Sequence, residues 1–559
     1  MALLDDFVGP LNNADASHLL RRAGFGGTPT ERAALTGLTA AAAVAYLVEI
    51  QPTDPHLDQP GTPGTGSFGS PLADLPDDPV VPGSPTLIEL DHITLKQAQY
   101  PHGLRGHWMY RMRYTSQPFQ EQLALFLHDH MPSEIEKLLD VLPNDVLWGN
   151  DGDPGNLVPP GEVQTCNLGL AGVPYDPYRK HEMVTRLLRD QNYLFRSEGV
   201  NRFEDLLLAV VRDPAMLVYL DNYLNVAGRP QENLARELME LFSLGVGNYS
   251  ENDIQQIAKC LTGESFPNFR CETTWDTTSG FIPLAHEPGG KFIFGSTAIP
   301  YNAAGAETEM VIQAILQKQS VTPNIALPGA AMYMAWKLCR WFVNENIELN
   351  PPSPIVVELA TYLMGDDAGV YPARRYPYDI KAAMGKLFRS QFFFDSANRF
   401  AIHKHPADYI IGALRALEMV ELFSIGEGLN DQMRFMGMDL FQPPDVSGWH
   451  HGQAWLSAAA LVARYNWANR LCNVIMADSG VALLIDAYPV SNNDHAGMID
   501  HLADRLFHEP LSTDEENRLL DFLNTMPLTG LGGNAIQEKR RKIRGAVHVM
   551  LSMPRAQLK

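Results

Sequence analysis

Cysteine is scarce, long apolar runs are absent and positive charge is in deficit. Five cysteines stand among 559 residues (Cys166, Cys260, Cys271, Cys339 and Cys472), and no two have the C-x-x-C spacing. An odd count without that spacing argues against a zinc ribbon and a disulfide scaffold, so buried free thiols are the expectation. Cys260 and Cys271 can pair only if the loop between them folds back. No window approaches the ~18 consecutive apolar residues of a membrane-spanning helix. Met1 to Asn13 carries Asp5 and Asp6 and lacks the basic-then-apolar run of an export signal, so the chain as given reads as cytoplasmic. Lys and Arg total 43 against 65 for Asp and Glu, a net charge of −22. A surface of that sign repels phosphate backbones and anionic lipid heads, which makes nucleic acid a poor partner. The densest basic spots are Arg21-Arg22 and Lys539-Arg540-Arg541-Lys542, the second reading as a solvated helix end. Also missing are the G-x-S-x-G elbow, the Walker loop and the H-E-x-x-H zinc motif.

What is there is ample core material and helical spacing. Hydrophobic residues make up 45% of the chain, ordinary for a globular protein. The length is several times the usual ~100–150 residues of a domain, so one large helical body or two intimately packed lobes are expected. Residues 1–50 read as N-terminal helices, with Asp15 as first cap, Thr28-Pro29-Thr30-Glu31 opening a second helix and 33–50 running on as helix. Residues 51–86 are rich in Pro, Gly, Asp and Ser and read as an arm or loop. Residues 87–559 form the main helical body, with irregular insertions near 149–177 and 264–308. Period-2 alternation is rare, Lys291-Phe292-Ile293-Phe294 being one strand-like piece, so the fold class is mainly α with few short strands.

Two segments carry most of the candidate chemistry. Over Asn233–Gly245, Leu234, Leu238, Leu241 and Phe242 line one helix face, with Asn233, Arg236, Glu237 and Glu240 beside it. Glu237 and Glu240, three apart, can point into one cleft for metal binding or acid–base work, whereas an Arg236–Glu240 ion pair would make the face a structural lattice. His128-Asp129-His130 closes another helix. In a straight helix the two imidazoles lie about 200° apart. They become a ligand pair only if the last turn unwinds, as Pro132 suggests. His18, His286, His403, His405 and the pair His450-His451 are further candidates, each alone more often a surface or capping residue. Trp449 and Trp455, around the rigid Pro443–Trp449 turn, can line a groove for a sugar or aromatic ligand or staple a loop to the body.

Taken together, these segments resemble the bacterial domain-of-unknown-function family 1800. The resemblance rests on His18-Leu19-Leu20-Arg21-Arg22-Ala23-Gly24-Phe25-Gly26, on Leu125 to Met131, and on Asp213 to Asn222. It continues over Glu232 to Gly245, Tyr249, Leu261-Thr262-Gly263, His286 to Gly295, Lys337 to Arg340, Gly412 to Leu417 and Phe441 to Trp455. The chain departs from the family at Leu127, where a Trp is usual, at Met131, where a Phe is, and at Glu264, where a Trp is. The resemblance implies a mainly helical fold and hands over no reaction. Members are often exported and encoded beside an uncharacterised protein resembling sulfatases, which makes such a protein a candidate partner.

The leading expectation is a metal-dependent enzyme, with an oxidoreductase on an organic small molecule ahead of a hydrolase. A divalent or transition metal ion would sit on His128 and His130, helped by His286, His18 or Glu237, while Arg22 and Arg236 orient an anionic substrate. One alternative is a hydrolase, carbohydrate-active or other, in which Glu237 or Glu240 works with a second carboxylate on a small-molecule or saccharide substrate. The other is a non-catalytic helical binding or assembly protein. Whether His128, His130, His286 and Glu237 converge in space decides most between them.

Overall fold

The computed structural model describes residues 2–49, 100–141, 178–265, 280–302, 304–365, 377–418, 429–473, 493–527 and 534–559. The 51–86 arm and the insertion near 149–177 lie outside the described residues, as do Cys166 and Cys271. Cys260, Cys339 and Cys472 are buried free thiols.

Local signals set the helix starts. Helix Asn13–Ala23 opens with Asn12 as cap and Asp15 answering from the third helical position, so Asp15 is the reciprocal partner and not the cap. Thr28 caps Pro29–Leu35 with Glu31 in the same reciprocal role. The stretch 33–50 is not one helix. It stops at Leu35, turns at Gly37, whose φ is +87°, and restarts as Ala40–Val48 under the Thr39 cap. A positive-φ glycine and a second cap outweigh the Ala- and Leu-rich propensity between them.

The body is mainly α, and among the described residues the only sheets are two antiparallel ribbons. Glu264–Ser265 pairs with Gly280–Phe281, and Lys291–Ile293 with Thr297–Ile299. One contiguous core runs from Leu4 to Ala556. No helix among the described residues is long and apolar enough to cross a membrane.

The core is also threaded by buried charge, and one knot fixes helix Pro118–His130 in place. Glu121 on that helix has no solvent exposure. Its Oε1 accepts from Arg111 Nε at 3.0 Å and Arg196 Nε at 2.8 Å, and its Oε2 accepts from Trp108 Nε1 at 3.0 Å and Arg196 Nη2 at 2.7 Å. Trp108 and Arg111 belong to helix Tyr100–Tyr114 and Arg196 to Tyr178–Glu198, so one carboxylate ties three helices. Burial alone would raise its pKa, but Arg196 and Arg111 outweigh that and hold it at about 2. Glu121→Ala leaves two guanidinium groups buried without their anion and should cost about 3–5 kcal/mol in urea unfolding. A loss below about 1 kcal/mol would show that the three helices are held by packing alone.

Candidate active site

The sequence candidates separate into distinct places. Helix Pro118–His130 does not unwind before Met131, so the two imidazoles stay on different sides. His128 is enclosed by Trp108, Phe195 and Phe441, with ring centroids at 4.7, 4.7 and 5.0 Å, and its Nε2 accepts from Asn192. His130 stacks on Phe126 and donates from Nε2 to the Phe242 carbonyl at 2.9 Å. His18 donates from Nε2 to the Phe393 carbonyl at 3.0 Å. His286 sits in a buried cluster with Thr262, Glu307 and Lys291 that clamps the second ribbon. These four histidines therefore have four separate partner sets and do not form one centre. Among the described residues no three His, Cys, Asp or Glu side chains converge at a metal's reach.

The Asn233–Gly245 segment is helix only to Glu237 and continues as a π-turn over Leu238–Ser243. Its i→i+5 spacing moves Glu240 off the line through Arg236. Arg236 instead pairs with Glu251 at 2.7 Å and Glu232 at 3.4 Å, while Glu240 accepts from the Tyr249 hydroxyl. Glu237 lies half-buried beside Glu240, and burial together with that neighbouring charge pushes its pKa up. Arg22 is fully buried with one nitrogen on the Asn398 carbonyl, and burial lowers its pKa to about 9. None of these residues lines the tryptophan-walled cleft.

That cleft encloses about 690 Å³ and is walled by Trp336, Trp341, Trp449 and Trp455. Helix Gly329–Phe342 supplies Trp336, Lys337, Arg340 and Trp341, and the turn after Gly448 supplies Trp449, His451, Gly452 and Trp455. Asp129, between the two expected ligands, faces this space and closes the joint. Its Oδ1 accepts the Trp449 backbone N–H at 2.8 Å and its Oδ2 meets His451 Nε2 at 3.2 Å. His451 is 44% exposed on its side chain, so its ring is open to the cleft. Beside Gly452 in the same cleft, His403 Nδ1 lies 2.6 Å from Glu345 Oε1, and the His403 backbone N–H donates to Oε2. The Trp341 indole N–H is buried and has no partner among the described residues. Lys337 lies over the rings of Tyr333 and Trp336; burial lowers its pKa and Asp129 opposes that shift. Behind the wall, His405 Nε2 meets Asp408 at 2.9 Å, and Lys559 pairs with the same carboxylate.

The joint requires Gly448. Its φ is +93°, and a Cβ there would lie 2.2 Å from the Asp129 carbonyl oxygen and 2.6 Å from Oδ1. Trp449 and Trp455 thus both staple the turn and line the groove. The sequence pointed to His403, His405, His451 and these two tryptophans singly, but it missed Asp129, Glu345, Lys337 and Arg340 as cleft residues. Asp129, Lys337 and Arg340 fall in segments that carry the family resemblance and Glu345 does not; the residues that meet here are scattered from 129 to 455 along the chain.

The close approach at 448 and the buried histidines each lead to a measurable outcome. Gly448→Ala forces an unfavourable φ and a backbone clash, and should cost roughly 2–4 kcal/mol while displacing Trp449. An unchanged melting curve and tryptophan emission would contradict the close approach. Burial lowers the pKa of His18 and His128 and takes that of His130 to about 3, so these bases stay neutral in the fold and protonate on unfolding. Between the unfolded value of about 6.5 and about 3 the unfolded chain binds more protons, so stability falls as pH falls through that window. His130→Gln should remove one histidine's share, about 1.4 kcal/mol per pH unit, from the slope of unfolding free energy against pH. An unaltered slope would place a charged His130 in the fold.

No curated protein and no solved structure matches the chain. The model of the family described as protein of unknown function (DUF1800) matches residues 18–143 and 178–558. Those residues include every wall of the cleft except Lys559, and the match covers most of the sequence. The chain belongs to the DUF1800 family.

Proposed function

We propose that the tryptophan-lined cleft is the active site of an acid–base enzyme, a hydrolase acting on a small saccharide-like or aromatic molecule. The observation that carries this reading is the pair of imidazole–carboxylate couples, Asp129–His451 and Glu345–His403, lining one cleft, with the Glu345 carboxylate packed beside Gly452 next to His451. A carboxylate bonded to one ring nitrogen fixes the ring's orientation and tautomer, leaving the second nitrogen to move a proton. In His451 that second atom is Nδ1; in His403 it is Nε2. One couple can activate water while the other protonates a leaving group. Lys337 and Arg340 supply positive charge where an oxyanion develops, and the indole faces hold a flat apolar surface. The paired carboxylates of a hydrolase would thus be Asp129 and Glu345, each acting through an imidazole, in place of Glu237 and Glu240.

A metal-dependent enzyme, including an oxidoreductase, is the second reading. It is favoured by the donor types in the same walls, two imidazoles and two carboxylates, which suit a divalent transition ion. Their separate pairing counts against it, as does the lack of any three such donors at a metal's reach among the described residues. Metal content of protein purified without chelator separates the two, since this reading needs close to one equivalent.

Turnover should first be sought on a panel of chromogenic glycosides and aryl esters, with binding read from quenching of the cleft tryptophans. On any substrate found, His451→Asn and His403→Asn should each lower kcat about 10²–10⁴-fold with an unchanged melting temperature. Full activity in both variants would overturn the assignment.

A further inference from the structure

On the far side of the His405–Asp408–Lys559 rail lies a second cavity of about 500 Å³. It is built by motifs that the cleft leaves unused: Arg21, Phe25 and Gly26 from the first helix and its exit, and Gly412, Ala413 and Ala416 from helix Pro406–Ala416. Gly412 makes the junction possible, since a Cβ there would sit 3.0 Å from the Phe25 carbonyl oxygen. The segment His403-Lys404-His405 divides the two spaces. It is extended, bridged to Leu558 at His403 and bonded from Lys404 N–H to the Gln557 carbonyl. Successive side chains therefore alternate, with both imidazoles on the cleft and Lys404 on the cavity.

Cations dominate this cavity. Arg21, Lys404 and Lys559 line it, and the carboxylate among its lining residues, Asp408, is already held by His405 and Lys559. Arg21 is 5% exposed. Its Nη1 donates to the Phe507 carbonyl at 3.0 Å, and its guanidinium lies 4.5 Å from the centroid of the Phe400 ring. Its Nε and Nη2 are buried with no partner among the described residues. Nε and Nη2 share one edge of the guanidinium, the edge that grips a carboxylate or phosphate with two parallel hydrogen bonds. Unmade hydrogen bonds on a buried cation are costly, because the bonds to water are lost and nothing replaces them. Arg21 is among the residues that line the cavity. Lys404 feels the same surplus: burial and then the Arg21 charge bring its pKa down to about 7, which an anion beside it would reverse.

We propose that this cavity is a binding site for a small oxyanion, the carboxylate or phosphate group of a metabolite, gripped by the Nε–Nη2 edge of Arg21 and by Lys404. The Phe507 carbonyl and the Phe400 ring fix the plane of the fork. The Gly26–Gly412 approach keeps the adjoining wall free of side chains, leaving space for the rest of the ligand. The site is separate from the cleft, so its occupant need not be the substrate.

The test is titration calorimetry of the full chain in low-chloride buffer, with inorganic phosphate, sulfate and succinate as separate probes. We expect saturable binding of at least one probe at one site per chain. Preference for phosphate and sulfate or for succinate tells a phosphorylated from a carboxylic ligand. Arg21→Gln should weaken binding at least about tenfold, and Arg21→Lys, which keeps the charge and loses the fork, should fall between. If Arg21→Gln does not fold, Lys404→Met, which keeps the hydrocarbon stem, should still weaken binding several-fold. His451→Asn should leave it unchanged, so this site and the cleft fail or stand separately. No saturable binding of any probe down to a Kd of about 10 mM would overturn the proposal. So would binding that is indifferent to both Arg21 and Lys404.

Discussion

Asp129 holds the candidate site together, and it does so with atoms that cannot be exchanged for anything else nearby. One carboxylate oxygen takes the backbone N–H of Trp449 and the other takes the ring of His451, so a single side chain fixes both the direction of the turn and the orientation of the imidazole. The turn approaches so closely that only a glycine fits at 448. Asp129 can be there because helix Pro118–His130 persists to its end, and the helix is tied to its neighbours along its length. Glu121 anchors its first half to two neighbouring helices, and His128 and His130 anchor its last turn to Asn192 and the Phe242 carbonyl. The histidines that the pattern offers as ligands are thus the pegs, and the aspartate between them is the residue that faces the cleft.

The arrangement also reconciles an acidic chain with basic interiors. A net charge of −22 belongs to the surface as a whole. Inside, Arg22, Arg389 and Arg464 are among the largest fully buried side chains, and Arg21, Lys404 and Lys559 crowd one rail. A buried cation needs an acceptor or an anion close by. Some acceptors are backbone carbonyls, such as Asn398 for Arg22 and Lys404 for Arg464. The long-range field of the acidic surface tends to exclude anions in general, while the local cations select one that reaches the right place.

What was legible in the sequence was local. Capping residues, positive-φ glycines and the Lys291–Phe294 strand-like piece announced themselves because neighbours in the chain decide them. The Thr39 cap lies inside an Ala-rich run, whose helix propensity masks it. The π-turn at Leu238–Ser243 was not legible, since it keeps the apolar spacing of an α-helix while shifting Glu240 away from Arg236. Glu264 shows the limit of family pattern. It stands where a Trp is usual, and it is buried against Arg212 and Thr308 at 3.1 and 2.6 Å, an ion pair replacing an indole. The site itself was least legible, because Asp129, Glu345, His403 and His451 meet only after the helices pack.

The segment His403–His405 shows why such meetings are stable once made. Three consecutive residues serve two cavities, and extended backbone achieves this without strain because alternate side chains face opposite ways. Its hydrogen bonds run to Gln557 on one side and to Arg464 on the other, so neither cavity depends on a side chain of its own to hold the strand. The imidazoles are then free to pair with Glu345 and Asp408, and Lys404 is left with no carboxylate of its own among the described residues. The unpartnered nitrogens of the buried Arg21 guanidinium beside it, and the unpartnered indole of Trp341 in the cleft, are the features most economically explained by ligands.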